Sequence, residues 1–150
     1  MFEALESTTL AAWVGESLWA YPGLLSVHII GLAIVVGLFS MRDLRLLGLF
    51  PEIDTKLFLS LNKIAAIGFV INAVSGFMLF SSQASIFVQS TPFLIKMGAI
   101  VVGMVLAGII HFRLGSGIAN HVTSGTKLVA AFSLLSWLSA IAAGRLIAYL

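Results

Sequence analysis

Three histidines, Lys96 and Arg145 are the side chains of this chain best suited to chemistry in apolar surroundings. His28 stands in the run His28-Ile-Ile-Gly31-Leu-Ala, which is otherwise apolar. A neutral imidazole there hydrogen-bonds to a neighbouring helix. Alternatively it serves as an axial ligand for a b-type haem, with Gly31 one turn further on leaving room for the flat macrocycle. A metal or proton site is a third use. Lys96 and Arg145 lie at the same depth as His28, where a charge must snorkel or find a partner. The three together form a polar layer with two cations and no acid from any span. Its natural complement is an anion: a haem propionate, a lipid or quinone headgroup, or a small solute. Glu16 is the internal counter-ion nearest in sequence.

Lys96, Ile100, Gly103, Ala107 and His111 fall on one helical stripe about 80° wide. The stripe is polar at both ends and mostly small between. It either packs tightly against a neighbouring helix or makes a slot at Gly103 for a planar cofactor. His111 lies about 22 Å from Lys96 along that helix, so His28 and His111 belong to opposite leaflets. Depth therefore argues against one haem bridging them. His111 and His121 are close enough in sequence to meet, so His28, His111 and His121 are the candidate metal ligands. The alternative for His111 and His121 is a solvated or capping role. Asn72 is the amide in the middle of a span and is expected to hydrogen-bond across helices. The cluster Arg42-Asp43-Leu44-Arg45 is expected to anchor a span at the membrane surface.

Other chemistries are missing. The sequence has no cysteine, which removes disulfides, thiolate metal sites and covalent haem attachment. There is no phosphate-binding glycine loop, no His-Glu-x-x-His pair and no nucleophile elbow. The net charge of +2 comes from scattered basic residues, so nucleic acid is not expected as a partner.

The elements that must position these residues follow from composition. Of 150 residues, 60% are hydrophobic and 9% charged, against about a quarter charged in soluble domains. The mean hydropathy is +1.12. Lipid is the solvent for most of such a surface, and about 20 apolar residues cross its core. Four spans are predicted, at about 22–41, 61–80, 92–112 and 126–149. Residues 1–19, with Trp13 and Trp19, are predicted to form one interfacial helix. Gly48 is a plausible helix C-cap, and Ile86-Phe87-Val88 lies in a loop that dips toward the interface. Arg42, Arg45, Lys56, Lys63, Arg113 and Lys127 cluster on the two loops of one side. By the positive-inside rule that side is cytoplasmic and both termini are outside. Ala33-Ile-Val-Val-Gly37 recurs as Ala99-Ile-Val-Val-Gly103, and Asn62-Lys63-Ile-Ala-Ala66 resembles Thr126-Lys127-Leu-Val-Ala130. This suggests a tandem duplication of a helical hairpin, with chance matching of apolar runs as the alternative. Small residues on each span favour close packing. The fold class is all-α: a single membrane domain, 1–150, built as an integral four-helix bundle.

His28-Ile-Ile-Gly31-Leu-Ala and Asp43-Leu-Arg45-Leu-Leu-Gly48 together resemble a group of functionally uncharacterised bacterial inner-membrane proteins with four spans. The likeness extends to Phe93-Leu-Ile-Lys96, to His111-Phe112 and to Gly144-Arg145-Leu-Ile-Ala-Tyr149, nearly the whole chain. It implies a bacterial inner-membrane protein and singles out His28, Lys96, His111 and Arg145. A more distant likeness is to four-helix haem-b and copper-resistance membrane proteins, although the co-level histidine pairs of a two-haem bundle are missing. The functional expectation is a small cytochrome-like protein or subunit. His28 would ligate haem b with Lys96 and Arg145 near its propionates, the candidate cofactor-binding residues being His28, Gly31, Lys96, Gly103, His111 and Arg145, with electron transfer or quinone interaction as the role. The alternatives are an accessory subunit of a larger membrane complex, and a homo-oligomeric carrier or channel for a small solute or metal ion.

Overall fold

The computed structural model describes residues 1–117 and 122–149. Among these every regular element is a helix: α1 Phe2–Glu6, α2 Thr9–Glu16, α3 Ala20–Leu46, α4 Leu57–Ser81, α5 Ala84–Phe87, α6 Thr91–Gly115 and α7 Ser124–Leu146. Four of them, α3, α4, α6 and α7, are long and apolar enough to cross a membrane. At 1.5 Å per residue the 27 residues of α3 extend about 40 Å, more than the hydrocarbon thickness of ~30 Å. α3, α4 and α6 run past the predicted spans, α3 furthest, through Arg42, Asp43 and Arg45 to Leu46, while α7 has about the predicted length. Their outward faces carry large apolar side chains such as Ile30, Val70, Val101 and Leu135.

Residues 1–19 make two short helices, not one. Thr8 interrupts the helix: its hydroxyl accepts from Ala11 N (3.3 Å) and caps α2. Ala11 and Val14 of α2 are buried, and Glu6 of α1 grips α5 by accepting from Ser85 N (2.8 Å) and Ser85 Oγ (2.7 Å). Ile86 and Phe87 belong to α5, so the expected loop contains a helical turn.

The bundle is two hairpins, α3–α4 and α6–α7, joined along α3 and α7, while α4 and α6 barely touch. Within the first hairpin the backbones cross closely. A methyl group at Gly31 would stand 2.8 Å from Asn72 N and 2.9 Å from Gly68 O. In the second, Ser136 Oγ donates to Ala99 O at 2.6 Å. Gly37 and Gly103, which the suggested duplication equates, have different surroundings: nothing lies near Gly37, and Gly103 faces the Trp137 indole. Two buried apolar layers fill the middle. One holds Val35, Phe39, Ala107 and Trp137, the other Leu46, Ile110 and Ala130. At the end of α3, Gly48 takes φ +105° and lets Leu49 N return to Leu44 O at 3.0 Å. This is the left-handed position glycine fills at no steric cost. Arg45 Nε donates to Ile53 O (2.6 Å) and ties down the loop that follows.

Candidate functional site

Polar side chains gather inside the bundle at two levels. The level nearer the chain termini is organised by α3 against α4. His28 Nδ1 lies 2.9 Å from Asn72 O; a carbonyl only accepts, so this nitrogen carries the proton. Asn72 Nδ2 returns the bond to His28 O at 2.8 Å, and Ser75 Oγ lies 3.2 Å from Nδ1. Gly76 makes room for the ring, since a methyl group there would stand 2.9 Å from His28 Cε1. His28 and Asn72 are thus a reciprocal clamp between helices, and among the described residues Nε2 makes no hydrogen bond.

Lys96 lies within electrostatic reach of that ring, with its stem and ammonium against Gly144 of α7. Among the described residues it has no carboxylate partner. Arg145, expected in the same layer, is exposed. Its Nη2 donates to Tyr149 Oη (3.2 Å) and its guanidinium sits 5.7 Å from the Tyr149 ring centroid. One residue along a helix turns a side chain by about 100°, so the Gly144 position faces Lys96 while Arg145 faces away. The layer therefore holds His28 and Lys96 and loses Arg145.

A haem at His28 would have one requirement met: Nδ1–H rests on a backbone carbonyl, the usual way a ligating imidazole is oriented. The expected room beside it is taken. The backbone of α4 fills the space next to Gly31, and a methyl group at Gly103 would stand 3.0 Å from the Trp137 ring. A macrocycle at either glycine would require α4 or Trp137 to move. For a metal ion, no three His, Asp or Glu side chains converge among the described residues. His28 and His111 sit at opposite ends of the bundle, and His121 lies outside the described residues.

The second level was expected to be a surface anchor and is a buried polar centre. Arg42 is 3% exposed and Asp43 0%, between the two apolar layers. Arg42 Nε (3.0 Å) and Nη2 (2.7 Å) both donate to Asp43 Oδ1. The guanidinium lies 4.8 Å from the Phe39 ring centroid, and Nη1 points at Ala107 O, 3.5 Å away. Ser133 of α7 stands close beside the carboxyl; Asp43 Oδ2 and Ser133 Oγ are both buried, and neither has a partner at full hydrogen-bond geometry.

Beside this pair a shallow notch of about 10 Å³, room for a single water, opens between α3, α4 and α6. Its polar lining is Arg42, Asn62 and His111; its walls include Phe39, Phe58 and Leu61. Each polar residue lies about one turn from the loop-facing end of its helix, so they share one level. His111 was singled out from the sequence; Arg42 was assigned a different role and Asn62 none. The signal was present in the spacing. Val35, Phe39, Arg42 and Leu46 recur at helical intervals on one stripe, so the charge sits on the face that turns inward.

These features define a four-helix bundle of membrane-spanning length with a polar centre inside it. The chain belongs to a family of unknown function, DUF6644, whose model matches residues 2–150. No curated protein and no solved structure matches it.

Proposed function

We propose that this is a multi-pass binding subunit of the bacterial inner membrane, both termini outside, that meets one polar group of a lipid-borne molecule at the notch between α3, α4 and α6. The observation that carries this reading is the convergence of Arg42, Asn62 and His111 on a pocket walled by apolar side chains. α4 and α6 barely touch, and approach between them from the bilayer side is part of this reading. The apolar layers on either side of Arg42 and Asp43 favour a side-opening site over a path along the bundle axis. Intramembrane charges mark functional sites by default, and this pair adjoins the pocket. The test is to extract protein purified from its own membrane with organic solvent and identify the co-purified molecules by mass spectrometry. A species enriched with wild type and lost from Asn62→Leu/His111→Leu is expected. Equal recovery from both proteins would contradict the reading.

A second reading rests on His28, whose protonated Nδ1 is held by Asn72 O and whose Nε2 is left for a ligand. On this reading the imidazole binds the iron of a b-type haem, with Lys96 near a propionate. A visible absorption band lost in His28→Ala supports it. A colourless preparation from haem-replete cells disposes of it.

A further inference from the structure

We infer that Lys96, at the level nearer the chain termini, anchors a binding site for a phosphate group, carried by a lipid headgroup or free in solution. The site lies at the opposite level from the Arg42 notch and does not depend on it. Its basis is a charge without a complement. Lys96 is half-buried in α6. Its Cδ, Cε and Nζ lie 3.6–3.7 Å from where a methyl group on Gly144 would stand, so stem and ammonium run along α7. An ammonium has three donors and no acceptor. Among the described residues neither a carboxylate nor a hydrogen-bond acceptor meets it.

The acids at this end of the bundle do not supply the match. Glu16, the counter-ion expected from the sequence, is exposed and makes no ion pair among the described residues. Glu6 gives its carboxylate to Ser85. The titratable side chain within reach of Lys96 is His28, which carries no negative charge in either protonation state. An unmatched cation in a span is costly, and an external anion completes it.

Depth and donor geometry select the anion. The 25 residues of α6 extend about 37 Å, against ~30 Å of hydrocarbon, so the helix end overhangs the core. Lys96 stands five residues past Thr91, about 7.5 Å along the axis. Helical side chains lean toward the N-terminus, which carries this ammonium to the boundary where headgroup phosphates lie. A planar arginine fork matches a carboxylate, whereas a lysine ammonium serves phosphate as a point charge. The fork at this end, Arg145, is turned to Tyr149.

The experiment is native mass spectrometry of the detergent-solubilised full chain with dioleoylphosphatidylglycerol and with dioleoylglycerol, which lacks the phosphate. Both are repeated on Lys96→Gln, Lys96→Arg and Arg145→Gln, with circular dichroism and gel filtration establishing that each variant is folded. Wild type is expected to retain the phospholipid in preference. Lys96→Gln should weaken it about tenfold, the scale of a lost hydrogen bond to a charged group; Lys96→Arg should weaken it less, and Arg145→Gln should leave it unchanged. Displacement by millimolar inorganic phosphate assigns the site to free phosphate, and retention in its presence assigns it to the headgroup; both support the site. Equal retention of the two lipids, equal losses in Lys96→Gln and Arg145→Gln, or binding that Lys96→Gln leaves unchanged overturns it.

Discussion

Arg42 and Asp43, adjacent in sequence, close an ion pair inside the bundle in which one carboxylate oxygen takes two donors, at 2.7 and 3.0 Å, and the other takes none. Removing one partner leaves an uncompensated buried charge, which costs roughly 3–5 kcal/mol. Asp43→Asn and Arg42→Leu should each lower the thermal unfolding temperature in detergent. Arg42→Leu/Asp43→Leu should recover most of the loss, because apolar replacement of a whole buried pair is often neutral. A double variant as unstable as either single one would show that the pair does more than cancel charge.

The crossing of α3 and α4 at Gly31 has no room for a methyl group, and the obstacle is the backbone of α4. Gly31→Ala should destabilise by about 1–3 kcal/mol, the range for overpacking. Gly37→Ala on the same helix meets nothing within 4 Å and should be neutral or gain up to about 1 kcal/mol from helix propensity. Comparison of the two unfolding midpoints under one condition checks this; equal effects would contradict the close crossing.

Glu6 holds the N-terminal helices against α5. The Ser85 hydroxyl, and after it the Ser85 N–H, keep its carboxyl below the ordinary value of 4.5. A folded-state pKa below the unfolded one stabilises above the unfolded value and loses that contribution as pH falls through the folded one. The clasp should therefore hold at neutral pH and release only below about 4.5. Limited acid-protease digestion across pH should show cleavage within residues 1–19 rising at the acid end. Glu6→Gln should remove that pH dependence; an unchanged profile would rule the clasp out.

The absence of cysteine makes topology simple to read. Ser7 and Ser116 are exposed at opposite ends of the bundle. Ser7→Cys should react with a membrane-impermeant maleimide added outside intact cells, and Ser116→Cys only after permeabilisation. The reverse pattern would invert the proposed orientation.

Much of the fold was legible because hydrocarbon thickness dictates how many apolar residues a span needs. The three places where the reading fell short have local causes. Thr8 could cap a helix, but nothing in the apolar pattern marked it as a break within residues 1–19. For Gly31 and Gly103 the sequence allows either close helix packing or space beside a cofactor, since small residues in membrane bundles admit both; packing fills both places, and which neighbour fills each, the α4 backbone or the Trp137 ring, is a tertiary fact. Arg42 and Asp43 were read by charge as a surface anchor. Burial depended on Leu46, Ile110 and Ala130 closing beneath them, a layer assembled from three helices. The His28–Asn72 clamp was half legible: each residue suggested a cross-helix bond, and neither named its partner.

The claim that a lipid-borne molecule meets the polar notch beside Arg42 is tested most directly by photolabelling. The membrane-embedded protein is irradiated with a diazirine-bearing lipid, digested, and mapped by mass spectrometry. Label on the notch-lining stretches around Phe39, Asn62 and His111, displaced by excess unlabelled lipid from the native membrane and lost in Asn62→Leu/His111→Leu, is the result expected. Label spread over the outward faces of α3, α4 and α6, undiminished by competitor, would contradict it.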